Sequence, residues 1–241
     1  MYWNGLRIIP FDIETTSLSA PEGEFICSAI YENNWENGIN YKVDYNLKEL
    51  KETLSNFDKE NILLITWNGE NYKTGFDAPW LRTKCALNNI GWILKDYYHL
   101  DIYPLVEKYF NNKITEIKTP SKSKLYKSDL EKLAVANGLG YSNKNKTYQA
   151  IKKLDNPEWL DYKEEKQKDK FDLQSIYQTF FDPNAEEEYV DGGQMIELYK
   201  KGNIEEIREH NMRDVKRLYD IAELLIDYIP KWEIERNIKV L

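Results

Sequence analysis

Apolar residues in the first third of the chain fall in short runs rather than helical stripes. Arg7 to Glu14, Phe25 to Glu32 and Ile39 to Val43 are rich in Ile, Val, Phe and Tyr, and turns containing Gly and Asn separate them. This spacing predicts three strands in a meander. The period then changes: Leu47, Leu50, Leu54 and Phe57 recur at helical spacing, and Asn61 to Trp67 reads as a compact apolar strand. Further helices are predicted near Ala78 to Asn88, Ser128 to Asn137, Gly193 to Lys200 and Ile204 to Tyr228, with a short strand around His99 to Tyr103. Strands first and helices interleaved afterwards predict an α/β fold: a mixed sheet of about five strands, an antiparallel meander and then parallel strands, flanked by helices.

Two stretches interrupt this plan. Asn111 to Tyr126 has little periodicity, and Asp155 to Asp191 is dense in charge, with eight of the ten residues from Asp161 to Lys170 charged. The expectation is a single domain over residues 1–241 with a charged insertion at about residues 155–191, since a chain of 241 residues lies at the upper end for one core. The aromatic residues of that stretch, Trp159, Tyr162, Phe171, Tyr177, Phe180 and Phe181, can form a satellite core or stack on bases.

Composition narrows the classes. No apolar run approaches the roughly 18 to 20 residues that cross a bilayer, and the N-terminus lacks the basic start and apolar stretch of a secretory signal. A soluble, cytoplasmic protein is expected. Cys27 and Cys85 lie in apolar contexts without a CxxC partner, so reduced, buried thiols are expected. A net charge of −8 excludes a protein that coats nucleic acid through a uniformly basic surface. The charge is uneven, however. From Asn111 to Lys153 ten lysines face three acidic residues, a net +7 that leaves −15 elsewhere. That segment is either a phosphate-contacting stretch or a solvated loop.

The chemistry begins at Phe11-Asp12-Ile13-Glu14-Thr15-Thr16. Strand residues two apart share a face, so Asp12 and Glu14 project together from an otherwise apolar strand. Two carboxylates near a core repel each other and resist ionisation unless a cation or a shared proton compensates, whereas at an exposed strand end both are simply hydrated. In the last long helix, the face of Asp214 carries Ile207, Leu218, Ile221 and Leu225, which sets the aspartate in an apolar stripe. His210 lies one turn earlier, so imidazole and carboxylate are presented together, for a structural hydrogen bond or for catalysis. Asp77 is expected to N-cap the following helix, with Pro79 in the first turn, and a cap can also face a metal.

In their order these segments resemble the DEDD (DnaQ-like) 3′-5′ exonuclease superfamily of ribonuclease H-like fold. The first motif is Phe11 to Leu18; the second is Trp67-Asn68-Gly69 followed by Phe76-Asp77-Ala78-Pro79-Trp80-Leu81; the third is His210-Asn211-Met212-Arg213-Asp214-Val215. The first two are similar to those of family-B DNA polymerase proofreading domains and their stand-alone relatives. Two features depart from the family. The loop Gly69 to Gly75 is longer, and the histidine stands four residues before the aspartate, where the family has a tyrosine at four or a histidine at five.

The resemblance implies two-metal hydrolysis with Mg²⁺ or Mn²⁺ about 3.5 to 4 Å apart. Asp12, Glu14, Asp77 and Asp214 would be the ligands, and His210 would orient or deprotonate the attacking water. Thr15, Leu18 and Asn68 would contact the terminal nucleotides, with Lys122 and Lys124 on the phosphate backbone. The implied activity is removal of nucleotides from a 3′ end of single-stranded or frayed DNA. RNA trimming or structure-specific endonucleolytic cutting on the same site is the alternative, and a silent nucleic-acid-binding module is a further one.

Overall fold

A ten-residue strand with apolar side chains on both faces organises the molecule, because such a strand must be covered by helices on either side. It lies at the centre of a seven-stranded sheet in the computed structural model, which describes residues 2–32, 41–69, 75–118, 122, 125–154, 158, 164–183, 185 and 192–241. In chain order the elements are β1 (Tyr2–Trp3), β2 (Leu6–Thr15), β3 (Phe25–Tyr31), β4 (Tyr41–Asp44), α1 (Leu47–Ser55), β5 (Ile62–Thr66), α2 (Asp77–Leu87), β6 (Tyr98–Asp101) and α3 (Tyr103–Tyr109). There follow β7 (Lys113–Lys118), α4 (Lys127–Ala136), α5 (Lys144–Lys152), β8 (Glu164–Asp169), α6 (Leu173–Phe180), α7 (Gly192–Lys201), α8 (Ile204–Tyr228), α9 (Lys231–Asn237) and β9 (Lys239–Val240). The chain divides into two compact units, Met1–Asn111 with Phe171–Leu241, and Asn112–Lys170.

In the larger unit the sheet runs β4-β3-β2-β5-β6-β9, with β1 on the side of β2. The meander β2-β3-β4 is antiparallel, β2-β5-β6 is parallel, and β9 is antiparallel to β6. The mixed sheet with flanking helices is therefore present, and the strands expected from Arg7, Phe25 and Asn61 stand where the pattern put them. Ile39 and Asn40, expected to begin the third strand, lie outside the described residues, and that strand is seen from Tyr41.

Alternation along β2 decides which helix covers which face. Ile9, Phe11 and Ile13 join Leu64 of β5, Leu50 and Leu54 of α1, and Trp80 and Leu81 of α2 in one core. Ile8 points the other way and joins Leu63 and Ile65, Leu105 of α3, Ile176 of α6, Leu218, Ile221 and Leu225 of α8, and Ile234 of α9. Each such side chain contributes about 1.5 to 3 kcal/mol of burial. The buried stripe of α8 is Ile207, Asn211, Val215, Leu218, Tyr219, Ile221, Ala222 and Leu225. Asp214 stands beside it with its side chain 22% exposed, so the place expected for Asp214 in the middle of the stripe belongs to Asn211. The reason is phase: Asn211 lies four residues from both Ile207 and Val215, whereas Asp214 is turned about 100° from Val215.

The smaller unit pairs β7 with β8, antiparallel from Lys113↔Asp169 to Lys118↔Glu164. Its own core consists of Leu125, Leu130 and Leu133 from α4 and its approach, with Tyr148 and Ile151 of α5. The described part of the segment expected as an insertion at 155–191 is divided between the units: β8 belongs to the smaller, and α6 packs in the core of the larger. Cys27 and Cys85 are free and buried. Among the described residues no helix is long and apolar enough to cross a membrane.

Candidate active site

The site forms where β2, β5 and β6 end together, because parallel strands bring their C-terminal ends and the loops that follow to one edge. On β2, Asp12 and Glu14 take the face covered by α8, as Ile8 does. The register of β2 against β3 shifts between Glu14↔Cys27 and Thr15↔Phe25, leaving Ile26 over as a bulge that turns the strand end.

Across this face α8 presents three polar side chains. Asn211, fully buried, donates from Nδ2 to Asp12 Oδ2 at 2.5 Å. Its Oδ1 faces Cys27 Sγ at 4.0 Å. Burial, then the charges of Glu14 and Asp12, push the Cys27 thiol up, so it stays protonated and fixes the amide with its NH₂ toward the carboxylates. His210 Nε2 lies 3.7 Å from Glu14 Oε1 and 3.4 Å from Asp214 Oδ2. Asp214 Oδ1 also accepts from Arg217 Nη1 at 3.0 Å.

A second loop delivers Asp77. After β5 the chain turns sharply at Asn68, whose φ is +64°, and Gly69 passes so close to Thr66 that a Cβ there would lie 2.0 Å from Oγ1. The Asn68 N–H donates to Asp101 Oδ1 at 2.8 Å, Phe76 N–H to Asn68 O at 2.8 Å and Ala78 N–H to Gly69 O at 3.1 Å. These bonds fasten both ends of the loop. The expected N-cap role of Asp77 is not what is found. Phe76 occupies the cap position without a side-chain cap bond, Asp77 is the first residue of α2, and its buried Oδ2 has no hydrogen-bond partner. The physical reason is that a first-turn residue sits past the point from which a side chain folds back onto the N2 or N3 amide.

The carboxylates form one electrostatic cluster. Burial first, then the charge of Asp214, pushes Asp12 up to about 8, against the opposing bonds from the Ile13 backbone and Asn211. Glu14 is held well above the usual carboxylate range by burial and by Asp12, Asp214 and Asp77 in turn. Asp77 is raised by burial, then by Asp12 and Asp101. Buried like charges of this kind call for protons or for cations. Asp12, Glu14, Asp77 and Asp214 could supply an oxygen-only ligand set, which suits Mg²⁺ or Mn²⁺ better than zinc. Among the described residues no three such groups stand ready-made around a single ion position.

Glu14 and His210 open onto a cleft of about 460 Å³. One wall is Thr15 to Leu18, the other is Met195 and Ile196 of α7, and Phe76 closes one end. The first wall is fixed: Thr15 Oγ1 and Trp80 Nε1 both donate to Ser17 O at 3.0 Å, and Glu24 N–H donates to Thr16 Oγ1 at 2.8 Å. Tyr199 of α7 donates to Glu24 Oε2 at 2.8 Å and links the two walls. Leu18, 85% exposed, stands on the rim.

Of the expected residues, the structure brings Asp12, Glu14, Asp77, His210 and Asp214 together, and Thr15 and Leu18 line the cleft. Asn68 acts on the loop through its backbone. Lys122 belongs to the smaller unit, exposed, with Nζ 3.1 Å from Asn145 Oδ1. Lys124 and residues 70–74 of the long loop lie outside the described residues. Sequence reasoning missed Asn211 and Asp101. The first is signalled by an amide in an apolar stripe, the second by an acid that ends a short strand just before a helix. No protein-family model matches the chain, and no curated protein matches it.

Proposed function

We propose that this chain is a metal-dependent 3′-5′ exonuclease of the DEDD superfamily, of ribonuclease H-like fold, acting on single-stranded or frayed DNA. The observation that carries the reading is the cluster itself: Asp77 buried and Asp12 and Glu14 half-buried, all three raised by desolvation and by neighbouring carboxylates, with Asp214 and His210 across from them at the edge of a cleft. The three-stranded meander followed by two parallel strands is the sheet this fold implies and supports the assignment.

The residues suit divalent cations. The donors are all carboxylate oxygens, and the orphaned Oδ2 of Asp77 is a buried acceptor awaiting a partner. Asp12, Glu14, Asp77 and Asp214 would hold two ions, Mg²⁺ or Mn²⁺, which when bound supply Lewis-acid stabilisation of the attacking and leaving oxygens. Asn211 holds Asp12 in place from behind. His210 Nε2, between Glu14 Oε1 and Asp214 Oδ2, would take a proton from the attacking water. Leu18 and Phe76 offer apolar surface to a terminal base, and the tethered Thr15 to Ser17 segment fixes the wall against which it would lie.

The test is degradation of four labelled substrates in Mn²⁺: linear and circular single strands, each as DNA and RNA. Stepwise shortening of the linear DNA with the circle intact is the expected result. Digestion of the circle contradicts the exonuclease reading, and preference for linear RNA replaces DNA as the substrate.

A further inference from the structure

We infer that the Asn112–Lys170 unit carries a surface for single-stranded nucleic acid, in which Lys122, Lys144 and Lys146 meet phosphates and Tyr126 stacks on a base. The inference rests on the nucleic-acid reading above and extends it to a part of the chain with its own core. Charge is its first support. Residues 112–170 hold fourteen lysines against nine carboxylates, a net +5 in a chain of net −8, so all other residues together sum to −13. A polyanion is drawn to the one unit more strongly than to the other.

Local geometry gathers these groups. Leu125 N–H donates to Lys122 O at 3.4 Å and closes the turn that enters α4, which keeps Lys122 close to Tyr126. Lys122 Nζ reaches Asn145 Oδ1 at 3.1 Å, which sets it against the first turn of α5, where Lys144 and Lys146 are exposed. The acids nearby already have partners within the unit. Asp129 Oδ2 accepts from Tyr126 N–H at 2.7 Å, and Glu131 lies 3.6 Å from Lys127 Nζ. Tyr148 is buried in the core of the unit, whereas Tyr126 is 77% exposed. An aromatic ring left in water among lysines suits a ligand that alternates phosphates with π-faces, which an acidic peptide does not.

The test is fluorescence anisotropy of labelled dT20 and rU20 with the full chain in EDTA, so that nothing is hydrolysed. Replacing Lys122, Lys144 and Lys146 with alanine together should reduce the slope of log K against log salt by about 2, since each phosphate contact on a single strand contributes about 0.7. Tyr126→Ala should weaken binding by about fivefold or more with the slope unchanged, and Tyr126→Phe should bind as the wild type does. The inference is overturned if the wild type does not bind, if both alanine variants bind like it, or if poly-glutamate binds the same lysines with equal strength. Loss of hydrolysis in Mn²⁺ with this binding pattern intact would remove the exonuclease proposal and leave the surface standing.

Discussion

Asp12 concentrates the physics of the site. Its carboxyl is raised to about 8, chiefly by burial and then by Asp214, so the folded chain keeps a proton that the unfolded chain releases near 3.8. For a group raised in this way, stability is fully present below the unfolded value and is lost as pH climbs toward the folded one. Asp12→Asn cannot titrate and should therefore stabilise the metal-free protein by an amount that grows from pH 4 to pH 8, read from urea melts. The same variant should lose metal-dependent hydrolysis. Asn211→Ala should cost about 10- to 100-fold in Mn²⁺ affinity or activity, because the amide orients a ligand rather than acting as one. Titration by electron paramagnetic resonance checks it, and unchanged affinity would remove Asn211 from the site. The pair Asp12 and Glu14 was legible because alternation alone puts both on one face. Asn211 was not, because the helical stripe was phased on Asp214, the residue with the more evident chemistry.

At the scale of elements, loops hold the site while strands and helices aim it. Trp80 of α2 ties the Thr15 to Leu18 wall through one indole N–H. Trp80→Phe keeps most of the packing, and the lost hydrogen bond costs about 1 kcal/mol. A few-fold rise in KM with little change in kcat is expected, and steady-state kinetics on a short oligonucleotide would show it. On β6, His99 Nε2 lies 2.8 Å from Thr66 Oγ1, and burial, then the charge of Lys239, pushes its pKa from 6.5 down to about 3. Here the sign is reversed: the unfolded chain takes up a proton that the folded chain refuses, so stability present above about 6.5 is lost as pH falls toward 3. His99→Gln removes that share, and its stability relative to wild type should rise between pH 7 and pH 4 in parallel denaturation curves. The elements of the larger unit were mostly legible, since β2, β5 and α8 have clean periods. The smaller unit was legible only at α4, which stands where the helix from Ser128 to Asn137 was expected. The sequence of β8, Glu-Glu-Lys-Gln-Lys-Asp, contains no apolar residue, and α5 buries only Thr147, Tyr148 and Ile151.

For the whole molecule, cations bound as proposed would link folding to function. Asp12, Glu14 and Asp77, each raised by desolvation and by neighbouring charge, weaken the metal-free fold as pH rises, and ions bound only by the native state would strengthen it by mass action, about 2.7 kcal/mol at a hundredfold excess over Kd. Mn²⁺ should accordingly raise the melting temperature of the wild type and leave Asp12→Asn nearly unmoved, whereas an equal rise in both would locate the ions elsewhere. The measurement that bears most directly on the central claim is anomalous diffraction from crystals soaked in Mn²⁺. Two peaks, each within ligand distance of carboxylates drawn from Asp12, Glu14, Asp77 and Asp214, are the expected result; no peak at these residues in Mn²⁺-saturated crystals would contradict the account.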